Sequence, residues 1–371
     1  MNKRLLRSYA RPVLVLLAVP LLVMPVRTQV IIKKGGPDRA IDAQERVEVL
    51  NALAKALRAE YLYPEIGEKM AQAIEAGVLK KEYDGITAGN ALAEKLTTQV
   101  QDISHDKHLR IDHSADVLPP PRKPTEEELA KRRELERREN YRFDKVEHLP
   151  GNVGLLSFRA FLSGQGAFDK AVAAMNFLAD TDALIVDLRQ NGGGAPDMVT
   201  LITSYLFNGP THINDMYTRR EPDKPIQRWT MPYVPGKSFG QDKPVYILTS
   251  NRTFSAAEEF TFNLKMAKRA MTVGETTGGG AHFGGGLRLS DHFMMNMPRG
   301  ETRAPWTKTT WEGVGIAPDL PCPPAQAFHV AYIDALRKLI EAGKDDAWNR
   351  QLQKIQEDLR RELDQLKKKE P

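Results

Sequence analysis

Residues able to do chemistry concentrate in two loops and one pair of histidines. The first loop runs Thr249-Ser250-Asn251-Arg252-Thr253-Phe254-Ser255-Ala256-Ala257-Glu258. The apolar run Val245–Leu248 before it predicts a buried strand, and Ser255–Lys268 predicts a helix. A serine at a strand-to-helix turn stands at the carboxyl edge of a sheet, where α/β active sites form. The helix start adds a positive dipole end and a free amide at Ala256. Ser255-x-x-Glu258 also spells a capping box, which needs no catalysis. The second loop is Asp187-Leu188-Arg189-Gln190-Asn191-Gly192-Gly193-Gly194, after the apolar strand Ala183–Asp187. Its glycines let backbone amides approach a ligand and hold a developing negative charge, or they form a tight turn at a sheet edge. No Gly-Lys-Ser/Thr follows and GxGxxG is not matched, so neither nucleotide motif applies.

A serine nucleophile needs a base. The eight histidines are His105, His108, His113, His148, His212, His282, His292 and His329. His105 and His108 share the segment Ser104-His105-Asp106-Lys107-His108-Leu109. Without a third ligand at metal-site spacing they make no metal motif, and no cofactor or metal is expected.

Elements must position these loops. Val47, Leu50, Leu53, Leu57 and Tyr61 recur at helical spacing. Ile66, Met70 and Ile74 mark a second helix opened by Pro64, and Leu92, Leu96, Val100 and Ile103 a third with Thr87 as N-cap. Residues 38–115 therefore read as a small helical bundle. Residues 116–149 hold a proline cluster and an almost wholly charged stretch, an exposed helix or linker. Strands alternating with helices across 150–325 indicate an α/β layered domain with a largely parallel sheet. Residues 326–371 are a charged helical tail. Its stripe Leu352, Ile355, Leu359, Leu363 and Leu366 docks on the chain's own core, or on a partner or second copy.

The 371 residues carry a net charge of +5, but residues 1–36 contribute seven Lys/Arg and no acid. The remainder holds 46 basic against 48 acidic residues, so no basic face for nucleic acid is expected. One cysteine, Cys322, excludes disulfide frameworks and Cys-based zinc sites. Lys3, Arg4, Arg7 and Arg11 precede the apolar run Pro12–Val26, which is short and broken by proline. This predicts an export signal, hence a periplasmic or secreted protein, with an uncleaved inner-membrane anchor as the alternative.

In this order the segments resemble the serine peptidase family that holds the C-terminal processing (tail-specific) peptidases, the tricorn core protease and the repeats of interphotoreceptor retinoid-binding protein. The resemblance is nearest to the bacterial retinoid-binding-protein-like branch and covers about residues 38–325. Asp187–Gly194 matches the family's glycine loop and Thr253–Glu258 its nucleophile turn. Val273–Gly279 matches V-G-E-x-T-x-G, Glu312–Asp319 matches E-x-x-G-x-x-P-D, and Asp106-Lys107-His108-Leu109 matches D-x-H.

The resemblance implies an α/β catalytic domain of the ClpP/crotonase-like type behind a helical bundle. It implies hydrolysis of protein or peptide substrates by acyl-enzyme chemistry. Ser255 falls on the nucleophile, His108 on the base and Glu312 on the carboxylate that orients it; the amides of Ala256 and Gly193 fall on the oxyanion hole. The lysine base of the processing branch falls at Gly280, so a Ser–Lys dyad is not expected. Lys107 replaces the tricorn branch's bridging serine, which leaves the relay direct, routed through Ser104, or broken. His105 and His282 are the alternative bases. No insertion of PDZ size separates His108 from Gly151. The retinoid-binding branch implies the other function class, a non-catalytic binder of a lipophilic ligand.

Overall fold

The computed structural model describes residues 37–120, 122–343 and 345–369. The export signal expected at 1–36 lies outside them. Helices α1 (Ala43–Glu60), α2 (Pro64–Leu79) and α3 (Gly89–Ser104) come first, and strand β1 (Arg110–His113) follows. Asp42 caps α1 by accepting the Glu45 N–H at 2.8 Å. The cap of α3 is Ala88 rather than Thr87; the Thr87 carbonyl instead accepts the Ile41 N–H.

The charged segment forms α4 (Glu126–Arg138), started by a capping box at Thr125 and burying no residue. The stretch read as linker then ends in a strand, β2 (Phe143–Leu149). Only its two ends, Phe143 and Leu149, are buried, so no apolar alternation marks it in the sequence. Next come β3 (Val153–Phe158), α5 (Gln165–Leu178), β4 (Ala183–Asp187), α6 (Pro196–Ser204), β5 (His212–Thr218), β6 (Ile226–Trp229) and β7 (Val245–Thr249). The chain continues through α7 (Ala256–Met266), β8 (Met271–Gly274), β9 (His282–Arg288), β10 (Phe293–Arg303) and β11 (Leu320–Pro321) to α8 (Pro324–Glu341) and α9 (Asp346–Lys369).

Six strands form one sheet in the order β11-β8-β7-β4-β3-β2, parallel except for the β2–β3 edge. Strands β4 and β7 are nearly continuous apolar runs because both faces are covered. On one face Leu184, Val186 and Ile247 pack with α5, α6 and α7. On the other, Ile185, Tyr246 and Leu248 pack with α8 and with Leu352 and Leu359 of α9. The leucine stripe of the tail is thus seated on the chain's own core.

The second sheet holds β1, β10, β5 and β6 in that order, with β9 also paired to β10. Phe293, Met295 and Met297 of β10 share a core with Leu53, Leu57, Leu92 and Leu96 of the helical bundle. The bundle and the α/β region are therefore joined by β1 and β10 and by a shared apolar core, which brings the turn after α3 to the sheet edge. No PDZ-sized body stands between His108 and Gly151; among the described residues there, α4 is the one α-helix.

Candidate active site

Ser255 follows β7 and precedes α7 with φ 55° and ψ −121°, a conformation that costs a non-glycine residue about 1–3 kcal/mol. The turn is over-determined by its neighbours. Ser250 Oγ donates to the Arg189 carbonyl at 2.6 Å and Thr253 Oγ1 to that of Leu188 at 2.8 Å. The Phe254 N–H donates to the Asn191 carbonyl at 3.1 Å. Nucleophile turn and glycine loop thus form one stitched unit.

Glu258 does more than cap the helix. Its carboxylate accepts the N–H groups of Ser255 (2.9 Å), Gly279 (2.7 Å) and Gly280 (2.8 Å) and the Thr277 hydroxyl (2.5 Å). Burial pushes its pKa up, against these hydrogen bonds. The side chain is fully buried, and it fixes the 277–280 loop over Ser255. Sequence reasoning assigned it a cap because the four donors come from segments some twenty residues apart.

The glycine loop corrects one expectation. The Gly193 N–H is taken by Asn191 Oδ1 at 2.9 Å, while Asn191 Nδ2 donates to the Phe158 carbonyl at 2.9 Å. Gly193 matters for its missing side chain: a Cβ there would stand 2.8 Å from Ser255 Cβ, at φ 101°. The amides of Gly194 and Ala256 have no partner among the described residues, and both residues line the cavity beside Ser255. The amides left free to meet an oxyanion are therefore those of Ala256 and Gly194, with Gly193 allowing the close approach.

Asp106 is wholly buried where α3 ends. Its Oδ1 accepts the His108 N–H at 2.9 Å, and its Oδ2 lies 2.7 Å from His282 Nδ1 and accepts Tyr61 OH at 3.2 Å. Burial opposes the charge on this carboxylate, but His282 and His108 prevail and hold its pKa below the ordinary range. Burial likewise opposes charge on His282, and Asp106 outweighs it, so this ring titrates above its ordinary value. His105 is exposed and serves as the left-handed C-cap of α3 at φ 55°.

Both ring nitrogens of His108 are buried without a partner. Its ring packs 4.6 Å from that of Phe254, the residue before Ser255. Burial is the main reason its pKa falls to about 4. Gly280 lies directly against both rings: a Cβ there would sit 2.6 Å from His108 Cε1 and 2.4 Å from Phe254 Cζ.

Glu312 does not touch His108. Its Oε2 accepts the N–H groups of Ala281 (2.5 Å) and His282 (3.0 Å) and lies 3.8 Å from His282 Nδ1. Its Oε1 is buried without a partner, and burial raises its pKa. The carboxylate whose charge acts on His108 is Asp106, which also accepts its backbone N–H. Ser104 donates to the Val100 carbonyl within its own helix and is no part of a relay, while Lys107 Nζ donates to the Gly278 carbonyl at 2.5 Å. Donor atoms of Asp106, His282 and Glu312 lie within 4.8 Å of one another and could accept a cation, although the 2.7 Å Asp106–His282 separation is that of a hydrogen bond.

Residues 152–322 match the model of peptidase family S41, and residues 43–143 match that of the N-terminal domain of S41 peptidases in eukaryotic IRBP. The chain belongs to peptidase family S41. It is a serine-type peptidase by family, and its α/β body with a helical N-terminal region is that family's architecture. Among solved structures, a putative peptidase from Parabacteroides merdae ATCC 43184 is similar at 17% identity, over 75% of this chain and 90% of that one, with a TM-score of 0.54. The photosystem II D1 C-terminal processing protease is similar at 15% identity, over 76% and 94%, with a TM-score of 0.47. The tricorn protease is similar at 14% identity, over 85% of this chain and 37% of that one, with a TM-score of 0.47.

Proposed function

We propose that this S41 chain is an exported serine peptidase, with Ser255 as nucleophile and His108 as general base, that hydrolyses protein or peptide substrates through an acyl-enzyme. The observation that carries the base is the space over Gly280. The processing branch places its lysine at this position, and here the His108 ring fills the volume that a side chain at 280 would enter. The two unpartnered nitrogens of His108 are costly in a buried ring, and a reacting hydroxyl beside Phe254 would satisfy one of them.

The chemistry follows from the groups present. Ser255 Oγ passes its proton to His108 as it attacks the scissile carbonyl. The tetrahedral oxygen meets the free amides of Ala256 and Gly194. The imidazolium faces the negative Asp106, then protonates the leaving amine, and water repeats the sequence. The cavity beside Ser255 measures about 60 Å³, against roughly 300–1,000 Å³ for small-molecule sites, which speaks against lipophilic ligand binding there.

A second reading makes His282 the base. It lines the same cavity as Ser255, and Asp106 holds its Nδ1 at 2.7 Å. The pH dependence of kcat/KM separates the two, because activity is lost as pH falls through the pKa of the base. With His108 the acidic limb is expected near pH 4. A limb above 6.5, the ordinary histidine value, transfers the role to His282.

The positive and apolar start of the chain, Lys3 to Val26, supports export to the periplasm or beyond, with an inner-membrane anchor as the alternative. No helix of the described residues is long and apolar enough to cross a membrane. Amino-terminal sequencing of the exported protein is expected to start beyond Val26; a fractionated protein that still begins at Met1 in the membrane would establish the anchor.

A further inference from the structure

The mechanism leaves one buried acid at the site unused. Glu259 follows Glu258 on α7, is 6% exposed, and lines the cavity shared by Ser255, Ala256 and Gly194. Burial pushes its pKa up to about 7. Its Oε1 accepts Asn214 Nδ2 at 2.8 Å, which fixes the carboxylate from β5. Its Oε2 has no partner among the described residues. The charge of Arg228 on β6 reaches this carboxylate, but its guanidinium is engaged by Asp197 Oδ1 at 3.0 Å and Met216 Sδ at 3.2 Å. Met216, Phe283, Trp311 and Pro196 give the cavity its apolar wall, and Thr302 and His282 complete it, the latter with its Nδ1 held by Asp106.

The geometry points to a specificity pocket in which Glu259 selects lysine on the amino side of the scissile bond. This rests on Ser255 being the nucleophile. A carbonyl held by Ala256 and Gly194 carries its own side chain towards Glu259, because all three residues line one cavity. Inside, an unpaired carboxylate oxygen beside Met216, Phe283 and Trp311 calls for a cation delivered on a methylene stem. Size chooses among cations. The cavity is small, about 60 Å³, and suits a slender side chain. A lysine side chain is unbranched, whereas the arginine fork is larger and planar.

The test uses matched quenched peptides with lysine, arginine or norleucine before the scissile bond, and mass spectrometry to assign the cleaved bond. Norleucine has the lysine stem without its charge, so the lysine-to-norleucine ratio of kcat/KM isolates the carboxylate. The wild-type ratio is expected above about tenfold, with lysine ahead of arginine. Glu259→Gln should bring the ratio close to one, and Glu259→Asp, which withdraws the charge by one methylene, should give an intermediate value. A purely structural role would lower all three rates together and leave the ratio in place. Ser255-dependent cleavage with a wild-type ratio near one, or with a ratio that survives Glu259→Gln, overturns the pocket alone. Absence of any Ser255-dependent cleavage overturns the nucleophile and the pocket together. If Glu259→Gln does not fold, the wild-type and Glu259→Asp ratios decide by the same criteria.

Discussion

Ser255→Ala is expected to lower turnover of unstructured protein substrates by roughly 10⁴- to 10⁶-fold, the range for loss of a nucleophile that acts in concert with its base. The fold should survive. Alanine keeps the Cβ, the backbone geometry and the N–H that Glu258 accepts at 2.9 Å. Ser255→Gly carries the sharper expectation. At φ 55° and ψ −121° a Cβ is strained, and glycine removes that strain. The glycine variant should be as inactive as the alanine variant yet more stable than it, by about 1 kcal/mol in denaturant titrations. An active Ser255→Ala enzyme, with unchanged fluorophosphonate labelling of the chain, would remove Ser255 from the chemistry.

Loss of the base has the second-largest expected effect. His108→Ala should lower kcat by about 10⁴-fold or more, while His105→Ala, on an exposed helix cap, should change it little. His282→Ala leaves Asp106 buried beside Tyr61 without its main partner. It is therefore expected to destabilise the site, as removal of one member of a buried pair does, and to lower kcat less than His108→Ala. Asp106→Asn should cost more turnover than Glu312→Gln, since the Asp106 charge acts on His108 and Glu312 binds the amides of Ala281 and His282. An active His108→Ala enzyme beside a dead His282→Ala would reassign the base to the glycine-rich strand β9. Equal losses from Asp106→Asn and Glu312→Gln would instead show that both carboxylates act as one network around His282.

The sequence alone identified what depends on near neighbours. The turn at Ser255, the glycine loop after β4 and the bundle helices each follow from residues within a dozen positions. A buried strand must be apolar, a reversal needs glycine, and a helix repeats its apolar residues at three and four. The order of those segments was enough to reach the family, and the glycine at 280 already excluded a lysine there. Strand β2 stayed hidden because its exposed face is charged and its two buried ends, Phe143 and Leu149, lie six positions apart.

What the tertiary structure decided are the pairings between distant segments. Asp106 meets His282 across 176 residues because β1, which follows Asp106, and β9, which begins at His282, both pair with β10. No local spacing encodes which histidine a carboxylate will face, so Glu312 was matched to His108 by motif and stands instead on the amides of residues 281 and 282. The same holds for hydrogen-bond bookkeeping. Gly193 and Gly194 look alike in the sequence, and only the Asn191 side chain, by taking one amide, leaves the other for an oxyanion. Glu258 and Glu259 are adjacent acids on one helix. The fold buries both, surrounds the first with four donors, and opens the second onto the cavity beside Ser255, because successive helical positions point about 100° apart.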